Sequence, residues 1–391
     1  MIGVVLTGPW SAVLWNAWFW KVCSDGFGGV QVSKLRAVVC GTTFGRLYVA
    51  GLRLRPLSYE LVGMLSRGSE QSRDFARRQG VPLYTDIEDL PGHDVSFVVV
   101  RSGVMGGEGT RLAQRFLAAG KHVVMEHPVH RSDAVSCYRE AAGSGRAFIV
   151  NSFYRHSSTI RTYLKLVEAL RVQYGIIHVQ AECSIHFLFS MIDIVGRTTG
   201  GFTPWSLDLQ GGESEVFTTV LASFRDVPVS FRVVNRMNPS NPDDFAHAGH
   251  RISVFTSAGT LVLTETDGKI IWHPNIVSPR TGQGVLDVDA DERMSSAVLH
   301  EELAVETNVT RRSLFELVWP DAVAEFLDEA LRQMNHPTER AHEAEYTLAV
   351  CSVWAQMGGL LGSSRELGSQ MSPDHLSLAR LMEYASVGAG G

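Results

Sequence analysis

The stretch LRAVVCGTTFGRLYVAGLRL (Leu35–Leu54) predicts a buried strand, a tight turn and a helix in immediate succession. Its first six residues form a short, mainly apolar run, as expected of a strand that is covered on both faces. The turn begins at Gly41, and the helix is expected over Gly45–Leu54, before Pro56. A strand that leads into a helix in this way is the first unit of a βαβ sheet.

The same alternation of strands and helices continues to about residue 150. Further buried strands are predicted at Glu60–Leu65, Val95–Val100, His122–Met125 and Phe148–Val150. Ser132 or Asp133 is expected to cap the helix before the last of them. Because strands that alternate with helices form parallel sheets, the sequence predicts an α/β fold with a doubly wound Rossmann sheet over residues 34–155.

The pattern changes after residue 155, where apolar and polar residues alternate. The alternating segments are Val216–Phe224, Val229–Met237, Arg251–Thr256 and Thr260–Thr266. Such alternation is typical of antiparallel strands with one covered face, and helical spacing returns from Leu317. We therefore expect an α+β domain over residues 156–391, with a large open antiparallel sheet and C-terminal helices that pack back on the first domain.

The N-terminus differs from the rest of the chain. Its first twenty residues carry no charge and contain four of the eight tryptophans. No basic residue precedes Lys21, and Pro9 and Asn16 interrupt the apolar run, so neither a secretory signal nor a membrane span is favoured. We expect residues 1–33 to be a poorly ordered extension of a cytoplasmic protein, with membrane anchoring as the alternative.

Charge and cysteine usage exclude several classes of partner. The 35 basic and 41 acidic residues give a net charge of −6, without a dense basic stripe, which argues against nucleic acid. The five cysteines form no CxxC pair, so neither a disulfide framework nor a cysteine zinc site is expected. His127 and His130, and likewise His247 and His250, have a spacing seen in metal sites but lack an evident third ligand. We expect no metal.

The turn after the first strand is a candidate phosphate-binding loop. Small residues there let backbone N–H groups approach a pyrophosphate at a helix N-terminus. In the register of GxGxxG, Cys40 and Thr42 take the places of the first two glycines, so a structural turn without a ligand is the alternative. The order strand, turn and helix favours a dinucleotide site, with these cofactor-binding residues: Gly41, Thr42, Thr43, Phe44 and Gly45.

The end of the second strand indicates which dinucleotide is bound. An NAD site usually offers Asp or Glu to the ribose 2′-hydroxyl at this point, whereas this chain has Ser66, Arg67 and Ser69. A carboxylate would repel a 2′-phosphate, but a guanidinium and hydroxyls accept it. The sequence therefore favours NADPH over NADH, with a solvated loop as the alternative.

The segment Glu126-His127-Pro128 resembles the E-K-P motif of the glucose–fructose oxidoreductase / inositol dehydrogenase family, in which the lysine lies beside the nicotinamide and the substrate. Here the lysine position is His127. Several runs together look like the thiazolinyl imine reductase branch of that family. They are VVCGTTFG (38–45), VVRS (99–102), GGEG (106–109), EHPVH (126–130) and NSFY (151–154).

This resemblance implies an NADPH-dependent enzyme of siderophore biosynthesis. Members of the branch reduce a thiazoline C=N to a thiazolidine on an intermediate that is bound to a carrier protein of a nonribosomal peptide synthetase. The resemblance also implies a homodimer through the large sheet, and it adds Arg101, Ser102 and Glu126 to the cofactor side of the cleft.

Two residues are candidates for the proton donor. Reduction of C=N needs a hydride at carbon and a proton at nitrogen, and an imidazole titrates nearer to neutral pH than a lysine ammonium does. His127 is therefore a suitable acid, and Tyr154 could donate or relay the proton. A packed structural tyrosine is the alternative for Tyr154, and the sequence leaves the donor open between the two.

A second motif bears on the competing functions. The run MIDIVGR ends at Arg197, where sugar dehydrogenases of the family often carry the histidine of D-x-x-x-H. The usual base for alcohol oxidation is therefore missing from its position. A sugar or polyol NAD(P)-dependent dehydrogenase is the alternative of the same fold, and a catalytically silent NADP-binding scaffold is the alternative outside enzymes.

Overall fold

A computed structural model describes residues 33–100, 107–210, 216–238, 248–287, 296–306, 309–366 and 376–388. Arg101 and Ser102, and residues 1–32 of the expected extension, lie outside these ranges. Within them, no helix combines the length and the apolar character that a membrane crossing requires.

The first domain alternates strands and helices throughout. Its elements are β1 (Leu35–Cys40), α1 (Gly45–Arg53), β2 (Tyr59–Leu65), α2 (Glu70–Gln79), β3 (Leu83–Tyr84), β4 (Val95–Val98), α3 (Glu108–Ala118), β5 (His122–Glu126), α4 (Arg131–Ser144) and β6 (Phe148–Asn151). All neighbouring strands are parallel, in the order β3-β2-β1-β4-β5-β6. This confirms the predicted Rossmann sheet, and it brings the carboxyl ends of β1, β5 and β6 to one edge.

The cap of α4 was predicted wrongly. The helix begins at Arg131, and its N-cap is His130, whose Nδ1 accepts a hydrogen bond of 3.3 Å from the Ser132 N–H. Asp133 lies inside the helix, where its carboxylate accepts from the Thr110 hydroxyl at 3.2 Å. A histidine ring nitrogen replaces the usual hydroxyl or carboxylate cap because it reaches the same backbone donor.

The second domain combines a large sheet with helices. Its strands are β7 (His178–Ser184), β8 (Trp205–Leu209), β9 (Thr218–Phe224), β10 (Val227–Val234), β11 (Arg236–Met237), β12 (Arg251–Phe255), β13 (Gly259–Leu263), β14 (Lys269–Pro274), β15 (Glu301–Ala304) and β16 (Arg365–Glu366). Its helices are α5 (Ser158–Tyr174), α6 (Leu188–Thr199), α7 (Arg311–Ser313), α8 (Trp319–Asn335), α9 (Pro337–Leu361) and α10 (Leu378–Gly388). Short turns of helix lie at Tyr154–His156, Ile185–Phe187 and Leu314–Val318.

The large sheet is mixed, which corrects the expectation of an antiparallel sheet. Its order is β15-β14-β13-β12-β7-β10-β9-β8, and β7 and β10 run parallel with Val179 opposite Val229. A parallel pair needs a long crossover, and α6 together with the β8–β9 pair supplies it. The alternation of apolar residues predicted the strands and their covered face, but it carries no information about the direction of the neighbouring strand.

One face of this sheet is covered by α5, α6 and α9. Alternate residues of β7 and β10 are buried against the helices, which contribute Tyr163, Met191 and Val353 to the same core. Helix α8 instead packs on α1 of the first domain. A Cβ added to Gly51 of α1 would lie 2.5 Å from Val323 Cγ1 of α8, so this close approach requires glycine. The C-terminal helices therefore contact both domains.

Candidate active site

The loop after β1 has the tight backbone that a phosphate-binding turn needs. Gly41 has φ +99°, and a Cβ there would lie 2.4 Å from the Val99 carbonyl oxygen, so only glycine fits. The Gly41 N–H donates to the Leu65 carbonyl at 2.9 Å, which ties this loop to the end of β2. Cys40 is fully buried and burial raises the pKa of its thiol, which makes it a packing residue.

Hydroxyl groups join the two predicted cofactor loops. The Thr42 and Ser72 hydroxyl oxygens are 2.6 Å apart, and those of Ser69 and Ser72 are 2.9 Å apart. Ser69 is also the N-cap of α2. Ser72 was not among the predicted residues, because the N-cap at Ser69 marks only the backbone N–H of position 72 and not its hydroxyl. Arg46, which was not predicted either, donates from Nε to the Thr42 carbonyl at 2.8 Å.

The residues expected to distinguish NADPH from NADH lie next to this hydroxyl cluster. The exposed Arg67 places Nη2 2.7 Å from Glu108 Oε2. The Ser66 hydroxyl accepts from the Gly68 N–H at 3.2 Å, and Arg73, a further cation missed in the sequence, donates to the Gly68 carbonyl at 2.9 Å. Guanidinium groups and hydroxyls around one turn are a donor set that fits a phosphate monoester.

His127 follows the end of β5, at the sheet edge where such folds bind ligands. Its Nδ1 lies 3.0 Å from the Asn151 carbonyl oxygen, and its backbone N–H donates to the same oxygen at 3.0 Å. The ring stacks on Phe189, with 5.5 Å between ring centroids and 23° between planes. Since a carbonyl only accepts, Nδ1 carries hydrogen, and Nε2 has no hydrogen-bond partner within the described part of the chain.

Glu126 lies between His127 and Tyr48 of α1. One of its carboxylate oxygens, Oε1, is 2.8 Å from His127 Nδ1. The other, Oε2, accepts hydrogen bonds from the Tyr48 hydroxyl and, at 3.4 Å, from the Asn151 amide. Burial, and then the Glu126 charge, hold the pKa of Tyr48 well above its usual value, so Tyr48 stays a donor. Glu126 Oε1 makes no hydrogen bond within the described residues, so it faces His127 on the buried side at ion-pair distance.

Tyr154 is placed by an unusual backbone turn. Phe153 has φ 61° and ψ −71°, and the Tyr154 N–H donates to the Ser152 carbonyl at 2.8 Å, which together form a γ-turn. A bulky residue in this conformation costs about 1–3 kcal/mol, and such strain occurs where the surroundings fix the chain. The Tyr154 ring lies 6.2 Å from that of His127, so the structure brings both acid candidates together.

His250 packs beside Tyr154, with 4.9 Å between the two ring centroids. Its ring nitrogens lie 2.8 Å from the Ser190 hydroxyl and 3.0 Å from the Thr266 hydroxyl. Burial, and secondarily the nearby His127, lowers the pKa of His250 to about 3, so the ring is neutral at physiological pH. Its sequence neighbour His247 lies outside the described ranges, and no group of three potential metal ligands occurs within them.

Arg197, which the sequence resemblance places where sugar dehydrogenases often carry a histidine, is held in ion pairs. Its Nε is 3.0 Å from Asp193 Oδ1 and its Nη2 is 2.9 Å from Glu343 Oε2, while its guanidinium covers the Tyr346 ring at 4.4 Å. Burial opposes the charge, but Asp193 and the other partners outweigh it and raise the pKa of Arg197 well above its usual value. A permanent cation cannot accept a proton, so this side chain does not replace the missing base.

Two family models match the chain. Residues 35–152 match the oxidoreductase family with an NAD-binding Rossmann fold. Residues 176–273 match the C-terminal domain described as thiazolinyl imine reductase Irp3-like. No curated protein sequence matches. The first match makes residues 35–152 similar to the NAD-binding Rossmann domain of that oxidoreductase family, and the parallel sheet of the first domain agrees with it. The second match is a similarity of residues 176–273 to the Irp3-like C-terminal domain.

Solved structures show the same two-domain fold at low sequence identity. KijD10, a 3-ketoreductase from Actinomadura kijaniata crystallised as a mutant with TDP-benzene and NADP, has a TM-score of 0.59 and 15% identity, over 86% of this chain and 100% of that chain. The UDP-N-acetylglucosamine 3-dehydrogenase GnnA from Acidithiobacillus ferrooxidans has a TM-score of 0.58 and 13% identity, over 83% of this chain and 96% of that chain. These likenesses concern the fold.

Proposed function

We propose that the protein reduces the C=N bond of a thiazoline ring to a thiazolidine with NADPH. The observation that carries this proposal is the Irp3-like match over residues 176–273 of a chain that has a histidine, His127, at the cleft edge of its Rossmann sheet. The ion pairs of Arg197 support it, because they leave the sugar-oxidising alternative without a base at that position.

The proposed chemistry adds one hydride and one proton across C=N. The loops after β1 and β2 would hold NADPH, which, when bound, would supply the hydride for the ring carbon. The Asn151 carbonyl holds one hydrogen of His127 on Nδ1, so in the protonated imidazolium the second hydrogen is on Nε2. This Nε2 proton passes to the ring nitrogen and leaves a neutral imidazole with hydrogen on Nδ1, which solvent protonates again. Phe189 restricts the rotation of the imidazole by stacking on it. Tyr154 is the second candidate donor. His250 is not a candidate, because its lowered pKa disfavours the imidazolium and both of its ring nitrogens are hydrogen-bonded to Ser190 and Thr266.

The substrate and the assembly follow from the same proposal. We propose that the thiazoline arrives on a carrier protein of a nonribosomal peptide synthetase in siderophore biosynthesis, in the cytoplasm. We also propose a homodimer through the open face of the mixed sheet, on which Leu221 and Phe255 are exposed. A sheet face with exposed apolar side chains is suited to association.

The first test is substrate-dependent oxidation of NADPH. Purified protein should lower the absorbance at 340 nm when a thiazoline analogue is supplied, and not with NADPH alone. The matched control supplies the corresponding thiazolidine, which has no C=N to reduce. Failure to turn over the analogue, together with reduction of NADP+ by sugars or polyols, would favour the dehydrogenase alternative. If the protein binds NADPH but neither reduces the thiazoline analogue nor oxidises sugars or polyols, a catalytically silent scaffold would be favoured.

A second prediction concerns the cofactor. Replacing Arg67 by alanine should weaken NADPH binding by about 10- to 100-fold and change NADH binding little, because a charge-assisted hydrogen bond contributes about 1.5–3 kcal/mol. The exposed pair with Glu108 contributes only about 0–1 kcal/mol, so Arg67 is readily diverted to a phosphate. Titration of both cofactors by protein fluorescence measures the ratio.

Arg77→Ala is the control for this prediction. Arg77 is an exposed arginine of α2 whose Nη2 lies 3.0 Å from Asp74 Oδ1, so its removal takes one surface charge from the same domain. It should leave the preference for NADPH unchanged. Equal losses of NADPH and NADH affinity in Arg67→Ala would contradict recognition of the 2′-phosphate.

A further inference from the structure

Asn151 is the last residue of β6, and its hydrogen bonds reach His127 and the turn that leads into Tyr154. It is paired with Glu126 across the parallel strands β5 and β6, and it is fully buried. A buried amide must satisfy one acceptor and two donor hydrogens, so each of its hydrogen bonds restrains a neighbour as well as the amide itself.

The side chain of Asn151 is hydrogen-bonded in two directions. Its Oδ1 accepts from the N–H of Phe153, the central residue of the γ-turn that leads into Tyr154, at 2.8 Å. Its Nδ2 donates to the Tyr48 hydroxyl at 2.7 Å and, more weakly, to Glu126 Oε2 at 3.4 Å. The amide therefore joins the strained turn to the carboxylate beside His127.

The main chain of the same residue restrains His127. The Asn151 carbonyl oxygen accepts from the His127 backbone N–H and from ring Nδ1, each at 3.0 Å. The first bond fixes the position of the His127 backbone, and the second fixes the orientation of the ring and the nitrogen that carries hydrogen. A displacement of Asn151 would consequently move both the His127 ring and the Phe153 turn.

We infer that Asn151 is a positioning residue that sets His127 and Tyr154 relative to each other. The inference deepens the proposed reduction and rests on it for the reaction that is measured, whereas the placement of the two side chains is independent of the substrate. Only an amide suits this position. A carboxylate has no hydrogen for Tyr48 or Glu126 and would face the Glu126 charge, and alanine leaves the Phe153 N–H without this acceptor.

The kinetic test exchanges the amide of Asn151 and the carboxylate of Glu126 in two steps. Asn151→Asp should lower kcat about 10- to 100-fold with the NADPH dissociation constant within about threefold of wild type, since misplacement of catalytic groups acts on the chemical step. Adding Glu126→Gln should recover about tenfold or more of the loss, because the pair again holds one amide and one carboxylate for Tyr48. The Glu126→Gln single variant completes the cycle.

A second measurement needs no substrate. In Asn151→Ala, amide hydrogen exchange of the segment around Phe153 and Tyr154 should be about tenfold faster than in wild type, with the rest of β5 and β6 unchanged. Uniformly faster exchange over the whole domain would show a merely structural role and overturn the inference. So would a double variant no better than Asn151→Asp. If wild type does not reduce thiazolines at all, the exchange experiment alone decides, and only the proposed function fails.

Discussion

Replacing His127 by asparagine should lower kcat for thiazoline reduction by about 10²- to 10⁴-fold, the range that a positioned general acid contributes. The amide of the new side chain can still donate to the Asn151 carbonyl, but it cannot deliver a proton from the cleft side. The proposed NADPH site lies on the loops after β1 and β2, so the affinity for NADPH should stay within about threefold of wild type. Steady-state kinetics with the thiazoline analogue and a fluorescence titration with NADPH measure the two effects separately.

His130→Asn is the matched control for this result. It removes a histidine three residues away, and asparagine is itself a favourable N-cap, so α4 keeps its start. Tyr154→Phe tested beside it separates the two donors. Activity that survives in His127→Asn and is lost in Tyr154→Phe would assign the proton to Tyr154 and contradict proton donation by His127.

The first domain could be predicted closely because its signals are local. The apolar runs that became β1, β4 and β5 are contiguous, and the glycine turn between β1 and α1 lies within a few residues of both. The need for glycine at position 41 depends on the close approach of the Val99 carbonyl, yet glycine in a turn is a signal in itself. Local signals could not predict that β10 runs parallel to β7, because this direction depends on the path of the chain between α6 and β10.

Much of the candidate site depends on contacts between residues far apart in sequence. His127 and Tyr154 were predicted from the motif, but Asn151 and Tyr48, which meet beside Glu126, are separated by 103 residues. Arg197 was recognised as an unusual residue, whereas its pairing with Glu343, 146 residues away, emerged only from the packing of α6 against α9. Polar residues without a periodic pattern give no local sign of which partner they will meet.

Arg155, the residue after Tyr154, carries the largest expected effect on stability. Its guanidinium lies 3.4 Å from Asp193 Oδ2 and is hydrogen-bonded to Glu329, and these three side chains are only 12%, 4% and 13% exposed. Arg155→Met would leave two buried carboxylates with one cation fewer. Breaking a buried pair from one side typically costs about 3–5 kcal/mol in the free energy of unfolding. Denaturant unfolding of the purified protein measures this loss.

Arg115→Met is the control, because it removes the same charge from an ion pair that is exposed and not buried. Its pair with Glu88 is 2.7 Å long but exposed, with side chains 56% and 80% accessible, so its loss should cost at most about 1 kcal/mol. An Arg155→Met variant no less stable than this control would show that the buried carboxylates are compensated by Arg197 or by water, and that Arg155 is not needed to neutralise them.

Arg155→Met is expected to lower the free energy of unfolding, and the pH dependence of this loss, called the deficit below, is a sharper test than its size at one pH. Burial alone would raise the pKa of Asp193 and of Glu329, but nearby cations outweigh it and hold both pKa values below their usual range. At Asp193 the main cations are Arg197 and then Arg155, and at Glu329 the main cation is Arg155. In wild type these ion pairs stabilise the fold above about pH 4, where the unfolded carboxylates are ionised, and the contribution is lost as pH falls through the lower folded values.

Without Arg155 the buried carboxyls should bind protons more readily than in wild type. The deficit of Arg155→Met should therefore be largest near neutral pH and shrink toward about pH 4, because a protonated carboxyl no longer needs a cation. Denaturant unfolding of both proteins at several pH values over this range measures the trend. A deficit that stays constant would mean that Arg155 stabilises the fold by packing and not by charge.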